Sequence, residues 1–204
     1  MRAIGAMRAS KLLALPVRIS KRERKNRIMA RLFRTLAASL GLLGVLAAIG
    51  FVTLGPKRVW RIAGEADQGS VDWDRLQRSA NPNDAFAASL GASATPADIT
   101  LDPFDGEPSE LVRKVDAYLR SNALPETFER VDDGRDPLYR RYVARTPMMG
   151  FPDTLNVAAR RVGDRTGLLL YSRSLVGKSD LGANRKRILS IVDAVRSRPI
   201  ASQR

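Results

Sequence analysis

Histidine and cysteine are both absent from the 204 residues. Without histidine there is no Ser-His-Asp or Cys-His catalysis, and the commonest metal ligand is missing. Without cysteine there are no disulfides, no thiolate zinc sites, no iron–sulfur ligation and no thiol redox chemistry. Any catalyst built from this chain would draw on Asp, Glu, Ser, Thr, Lys, Arg and Tyr alone, and no catalytic set, metal site or cofactor is expected from it. Acidic residues are scarce at the N-terminus: residues 1–34 hold eleven Lys and Arg against one acid, Glu23, and residues 35–54 hold no charge at all. Residues 55–204 are nearly balanced, with 24 basic and 20 acidic side chains. The net charge of +14 therefore belongs mainly to a short tail. Cationic chains attract polyphosphate through counterion release, but here the charge abuts an apolar run. The expected partner is a lipid bilayer, and no nucleic acid is expected.

That run, Thr35 to Leu54, reads TLAASLGLLGVLAAIGFVTL. A helix of this length is ~30 Å long, which matches the hydrocarbon core of a bilayer. Arg18, Lys21, Arg22, Arg24, Lys25, Arg27, Arg31 and Arg34 crowd its N-terminal side, whereas Lys57, Arg58 and Arg61 beyond it are soon offset by Glu65, Asp67, Asp72 and Asp74. The positive-inside bias keeps the N-terminus cytoplasmic and exports the chain beyond Gly55. A cleavable signal peptide is the competing reading. Its apolar core is usually ~7–15 residues before small residues at the cut, and Gly55-Pro56-Lys57-Arg58 is a poor cleavage site, so an uncleaved signal anchor is favoured. Met29 is an alternative start that leaves this topology unchanged. Ala37/Gly41 and Gly44/Ala48, small residues four apart, can let two helices approach closely and dimerise, although small residues are common in membrane helices in any case.

The expected layout is a basic cytoplasmic tail over 1–34, a transmembrane signal anchor over 35–54, an extended linker and peripheral segment over 55–105, which Val71-Asp72-Trp73 and Ala85-Phe86 tack onto the folded body, and an α+β domain over 106–198. Prolines 82, 96, 103 and 108 break any long period in the linker, with a short extra strand expected near Ile99-Thr100-Leu101. Ser109 is read as the N-cap of an amphipathic helix reaching about Asn122, with Leu111, Val115 and Tyr118 on one stripe. Strands are expected over Thr127 to Val131, Leu138 to Arg145, Leu155 to Arg160 and Gly167 to Ser174. A last helix carries Ile188, Ile191, Val192 and Val195 on one face. The fold class is α+β: one N-terminal transmembrane helix, then a small antiparallel sheet of four to five strands packed with two helices on one face.

The densest polar stretch beyond the span is Tyr171 to Arg187, YSRSLVGKSDLGANRKR, between an apolar strand and the last helix. Ser179 or Asp180 can cap that helix, and Gly182 just inside it permits close backbone approach. The first reading is structural: Asp180, Asn184 and Arg173 pin the strand end to the helix start through charge-assisted hydrogen bonds. The second is an anion site in which free helix N–H groups act with Arg173, Lys178 and Arg185. A Ser–Lys nucleophile, Ser172 or Ser174 with Lys178, is a third reading that neither spacing nor composition supports. Gly177-Lys178-Ser179 has the look of the end of a P-loop, but that motif needs Gly five positions earlier, where Ser172 stands.

The same stretch resembles the C-terminal signature of the bacterial and plastid domain of unknown function 1499 family, roughly an aromatic, S-R-S, x-V-G-x-S-D-x-G-x-N-R-x-R. Phe151-Pro152-Asp153 resembles that family's F-P-D at a strand start, and Val71-Asp72-Trp73 with Pro82-Asn83 is similar to its N-terminal portion. The resemblance spans about residues 70–198. It implies a motif of Ser172, Arg173, Ser174, Gly177, Ser179, Asp180, Gly182, Asn184, Arg185 and Arg187, with Lys178 where the family has an aromatic. It implies no activity.

The leading expectation is a membrane-anchored module facing the periplasm from the inner membrane, which binds an anionic or amphipathic envelope ligand or another membrane protein. A structural subunit of a membrane complex is the alternative. A carboxylate-based envelope hydrolase, drawing on Asp132, Asp133, Asp136, Asp153 and Asp180, ranks last, because such chemistry needs two carboxyls at a set separation.

Overall fold

The computed structural model describes residues 20–121 and 123–197. Most of the basic tail before Ser20, the expected helix end at Asn122 and the last residues of the expected domain lie outside the described residues. The chain divides into two units at Gly50.

The first unit is the body of α1, Lys21–Leu54. Ser20 and Glu23 form a capping box: the Ser20 hydroxyl accepts from the Glu23 N–H at 3.1 Å, and the Glu23 carboxylate accepts from the Ser20 N–H at 3.0 Å. The basic residues from Lys21 and the apolar run therefore share one continuous helix. None of its residues is buried, and Leu36, Leu40, Leu43, Leu46 and Ile49 are all exposed. Among the described residues this is the one helix long and apolar enough to cross a membrane. An apolar surface on every side is what a lipid-solvated helix presents.

The second unit carries a six-stranded sheet in the order β2-β1-β6-β5-β4-β3. The strands are β1 Asp84–Ser89, β2 Ile99–Leu101, β3 Thr127–Arg130, β4 Tyr139–Arg145, β5 Pro152–Val162 and β6 Arg165–Ser174. Two helices, α3 Pro108–Arg120 and α4 Ala183–Ser197, cover one face. A short helix α2, Pro56–Val59, and a 3₁₀ turn, Trp60–Ala63, come directly after α1. The fold is α+β as expected, with one more strand and one parallel pair: β1 and β2 run in the same direction, Ala87 opposite Ile99, so the sheet is mixed.

The larger departure is β1, which falls inside the segment expected as an extended linker. It sits between β2 and β6 and is buried along nearly its whole length. A strand covered on both faces loses the alternation that marks a half-buried one, and Asp-Ala-Phe-Ala-Ala-Ser is rich in a residue of low strand propensity. The alanines serve packing instead. Ala85 and Ala87 face the helices in the main core with Leu168, Leu170, Ile188 and Ile191, while Phe86 and Ala88 face the other way.

That other face is also covered in part. Val71, Trp73 and Leu76 lie against Phe86, Ala88, Ala158, Leu169 and Tyr171. This part of the 55–105 segment is thus a strap across the outer face of the sheet. At the helices, α3 begins two residues earlier than expected: Pro108 holds the first helical position and Glu107, not Ser109, precedes it, extended at φ −82° and ψ 141° and without a side-chain cap. Proline suits that position because its missing N–H would be unpaired there in any case.

The β3–β4 turn is built around Asp132, whose carboxylate accepts from Arg130 and from the backbone N–H groups of Gly134 and Arg141. Burial works against the charge, yet Arg130 and those amides outweigh it and hold this carboxyl down at about 2. The folded value lies below the ordinary one, so its contribution is complete above about pH 5 and is lost as pH falls toward 2, on the order of 2 kcal/mol. Asp132→Asn should lower the stability at neutral pH and flatten the acid limb of a stability-against-pH curve measured by urea unfolding. An unchanged acid slope would count against this role.

Candidate functional site

The polar stretch from β6 to α4 does not act as one cluster, because the pleat of β6 sends neighbouring side chains to opposite faces. Ser172 points to the helix side and Arg173 to the outer side. On the helix side, the guanidinium of Arg187, 1% exposed, lies at the centre of a buried network. Its Nη2 donates to Asp153 Oδ2 at 2.7 Å, and its Nη1 donates to Ser172 Oγ at 2.8 Å and Asn184 Oδ1 at 2.6 Å. Glu126 stands 3.5 Å away. Asn184 donates in turn to the Asn83 carbonyl and to Ser174 Oγ, each at 2.9 Å, and Asn83 donates to the Gly177 carbonyl at 2.8 Å. Five chain segments are tied together here: the residue before β1, the start of β5, the end of β6, the loop after it and the first turns of α4. Burial pushes the Asp153 carboxyl above its ordinary value, opposed by the Arg187 charge and a hydrogen bond from Ser174.

Asp180 caps α4 as one of the two expected candidates. Its carboxylate accepts from the N–H groups of Gly182 at 3.0 Å and Asn184 at 2.7 Å. Gly182 stands just outside the helix, not inside it, with φ +80°, a conformation that glycine adopts at no steric cost. Ser179 makes a local turn, accepting from the Leu181 N–H. Lys178 is exposed in the loop.

The expected cations do not converge on the helix start. Arg173 lies on the outer face, where it donates to the Gln68 carbonyl at 2.5 Å and stands 5.7 Å from the Tyr171 ring centre. Arg185 reaches toward the Asp98 carbonyl at 3.4 Å. The cation that ties strand to helix is Arg187, with Asp153 as its counter-charge. Asp153 belongs to the F-P-D element and Arg187 to the signature, so the two motif pieces meet in space. The carboxylates weighed for hydrolysis are divided: Asp132, Asp133 and Asp136 lie before the start of β4, whereas Asp153 pairs with its end, opposite Ala144. Asp153 and Asp180 do share a site, but one is bound to Arg187 and the other to helix amides.

Beside this network a cleft of about 240 Å³ opens at the sheet end. One wall is the β4–β5 turn, with Thr146 and Phe151; the other is the loop Val176, Gly177, Ser179, Asp180 and Leu181, with Ala183 at the helix start. Asp153 and Ser174 contribute to its lining. The lining is mostly apolar with a few convergent polar groups, the usual character of a small-molecule site.

Residues 76–195 match the family model described as protein of unknown function (DUF1499). The chain belongs to that family. No curated protein matches it. The DUF1499 match begins at Leu76, so it takes in all six strands, α3 and nearly all of α4, together with every member of the buried network. It leaves out residues 56–75, which fold onto the same domain. The signature residues of DUF1499 in this chain thus divide by place: Ser172, Ser174, Asn184 and Arg187 hold the interior, Asp180 and Gly182 shape the helix start, Gly177 and Ser179 form the cleft wall, and Arg173 and Arg185 bind backbone carbonyls elsewhere. Asp153 and Asn83 lie outside the signature stretch; the F-P-D and Pro-Asn elements were the sequence signals for them.

Proposed function

We propose that this DUF1499 protein is a membrane-anchored binding module, held by α1 in the inner membrane with its folded domain on the periplasmic side, and that the cleft at the sheet end takes the apolar part of an amphipathic envelope ligand. The cleft lining carries this reading: Phe151, Val176, Leu181 and Ala183 supply apolar surface, and Thr146, Ser174 and Ser179 supply neutral hydrogen-bonding groups. The two carboxylates at the cleft are committed to Arg187 and to the α4 amides, and no cation from the signature lines it. That favours the amphipathic ligand over the anionic one.

Filling the cleft tests the proposal. The full-length chain purified in mild detergent should retain a stoichiometric amphiphile, detected by native mass spectrometry and identified after organic extraction. Ala183→Trp should release it while leaving the melting midpoint within a few degrees of the parent. A bound species that is present equally in both proteins, or absent from the parent, would sink the reading. Topology has its own check, because a cysteine-free chain allows single-site labelling: Leu90→Cys in intact cells should react with a membrane-impermeant maleimide.

A further inference from the structure

The end of the folded domain nearest to α1 in sequence has an unusual surface. Three segments meet there. Trp60 donates its indole N–H to the Met149 carbonyl at 2.7 Å, and its ring lies 4.5 Å from that of Phe151. Pro56 packs under Gly150 so closely that a Cβ added there would fall 2.6 Å from the proline Cβ. Gly64 lies against Leu175, at 3.6 Å from its Cδ1 by the same measure. The β4–β5 turn and the loop from Val176 to Leu181 form the two walls of the cleft. Residues 56–64, 146–151 and 175–181 therefore make one end of the domain.

The most exposed large hydrophobic side chains of the domain are all at this end: Ile62 at 91%, Met148 at 93% and Leu181 at 97%. The next, Leu90 at 57%, lies just past β1 at the opposite end of the sheet. Single exposed hydrophobics are ordinary on a protein surface, but three nearly bare ones gathered on three converging segments are not. Met148 and Leu181 are also the two non-glycine residues with left-handed backbone among the described residues, at φ 61° and 52°. Turns of that geometry favour glycine or asparagine; here they hold long apolar side chains outward. Arg58 and Arg61 on the first of these segments and Lys178 on the third are exposed and have no ion-pair partner among the described residues.

We infer that this end of the domain is a bilayer-contact surface, in which Ile62, Met148 and Leu181 enter the lipid interface and Arg58, Arg61 and Lys178 meet headgroup phosphates. The inference rests on the reading of α1 as a membrane span. The tether names the occupant: α1 ends at Leu54, and the six steps to Trp60 cover about 20 Å at full stretch. A surface held that close to a span lies within reach of the headgroup layer, where tryptophan, basic and long apolar side chains are at ease. The cleft between the two loops then opens at the lipid surface, and an amphipathic molecule could pass from the bilayer into it without crossing water.

The test uses the full-length chain in nanodiscs of mixed phosphatidylcholine and phosphatidylglycerol, spin-labelled at one introduced cysteine at a time, since the chain has none of its own. Power saturation compares collision with oxygen, which concentrates in lipid, against collision with a water-soluble nickel chelate. Leu43→Cys within α1 should be lipid-accessible and Leu90→Cys water-accessible. Met148→Cys and Leu181→Cys should both fall on the lipid side of Leu90→Cys, with the oxygen-to-nickel ratio raised several-fold. Ratios for Met148→Cys and Leu181→Cys equal to that of Leu90→Cys, with Leu43→Cys still in lipid, overturn this inference alone. A water-accessible Leu43→Cys overturns the span and the inference together. Low collision with both reagents at Met148 and Leu181 means that a second copy covers the patch, which also overturns it. Ligand retention in detergent is a separate readout, so loss of the contact surface and loss of the cleft function can be told apart.

Discussion

Arg187→Ala should be the most damaging single substitution in the folded domain, costing about 3–5 kcal/mol. The arginine is buried and hydrogen-bonded to Asp153, Ser172 and Asn184. Removing it takes the counter-charge from the Asp153 carboxylate, which keeps only a hydrogen bond from Ser174, and leaves Asn184 Oδ1 with the Ser172 hydroxyl as its one remaining donor, all in a buried site. For a domain of this size the melting midpoint should fall by roughly 10 °C or more, read from Trp60 and Trp73 fluorescence in the full-length protein. The acid dependence has a definite sign. Burial already raises the Asp153 carboxyl, and loss of its counter-charge raises it further. The penalty should therefore be smaller at pH 5 than at pH 8, because protonation removes the stranded charge. Replacing both partners, Arg187→Met with Asp153→Leu, should cost less than the sum of the single changes, since a buried ion pair is expensive mainly when half of it is removed. Additive costs in that cycle would show that the pair does not act as a unit.

Asp84→Ala should come second, at about 2–4 kcal/mol, and should act first on the outer strap. The Asp84 carboxylate accepts from Arg78 through two nitrogens at 2.7 and 2.8 Å, from the Ser79 N–H at 3.0 Å and from the Tyr171 hydroxyl at 2.8 Å. The Tyr171 ring has guanidinium groups 5.9 and 5.7 Å from its centre, those of Arg78 and Arg173. Burial, together with the adjacent Asp84 charge, pushes its hydroxyl up to about 12, so it remains a donor at every physiological pH. Burial opposes ionisation of Asp84 too, yet Arg78, Ser79 and Tyr171 together hold it below its ordinary value. Its contribution is therefore full above about pH 5 and lost as pH falls below 4. Native-state trypsin should cut after Arg78 in Asp84→Ala well before global unfolding, because the strap detaches while the helix-side core persists. Tyr171→Phe should show the same pattern more weakly. If the two variants unfold as one cooperative step with no early cut, the strap is part of the main cooperative unit.

The local features of this chain were open to inspection because their causes are local. The uncharged run from Thr35 to Leu54, the alternation in β5, the Asp-Gly turn between β3 and β4 and the capping role of Asp180 each arise from residues close together in sequence. The apolar stripe of α4 is of the same kind: Ile188, Ile191, Val192 and Val195 are all in the helix-side core. β1 was not open in this way. Its alanines have weak strand preference, and it is a strand because α4 needs small residues beneath it and β6 offers a free edge.

Membership of DUF1499, the apolar helix and the order of elements from β2 to α4 were determined by sequence alone, because pattern, composition and the signature spacing carry them. Only the tertiary structure decided which arginine holds the interior. Ser172 and Arg173 are neighbours in the chain, yet the pleat sends them to opposite faces, so Arg173 goes to the strap and Arg187, fifteen residues after Ser172, arrives from the helix. A hydrogen-bond partner is set by which face a side chain occupies and by what packs over that face. Both depend on contacts between segments distant in sequence, and the spacing of letters does not contain them.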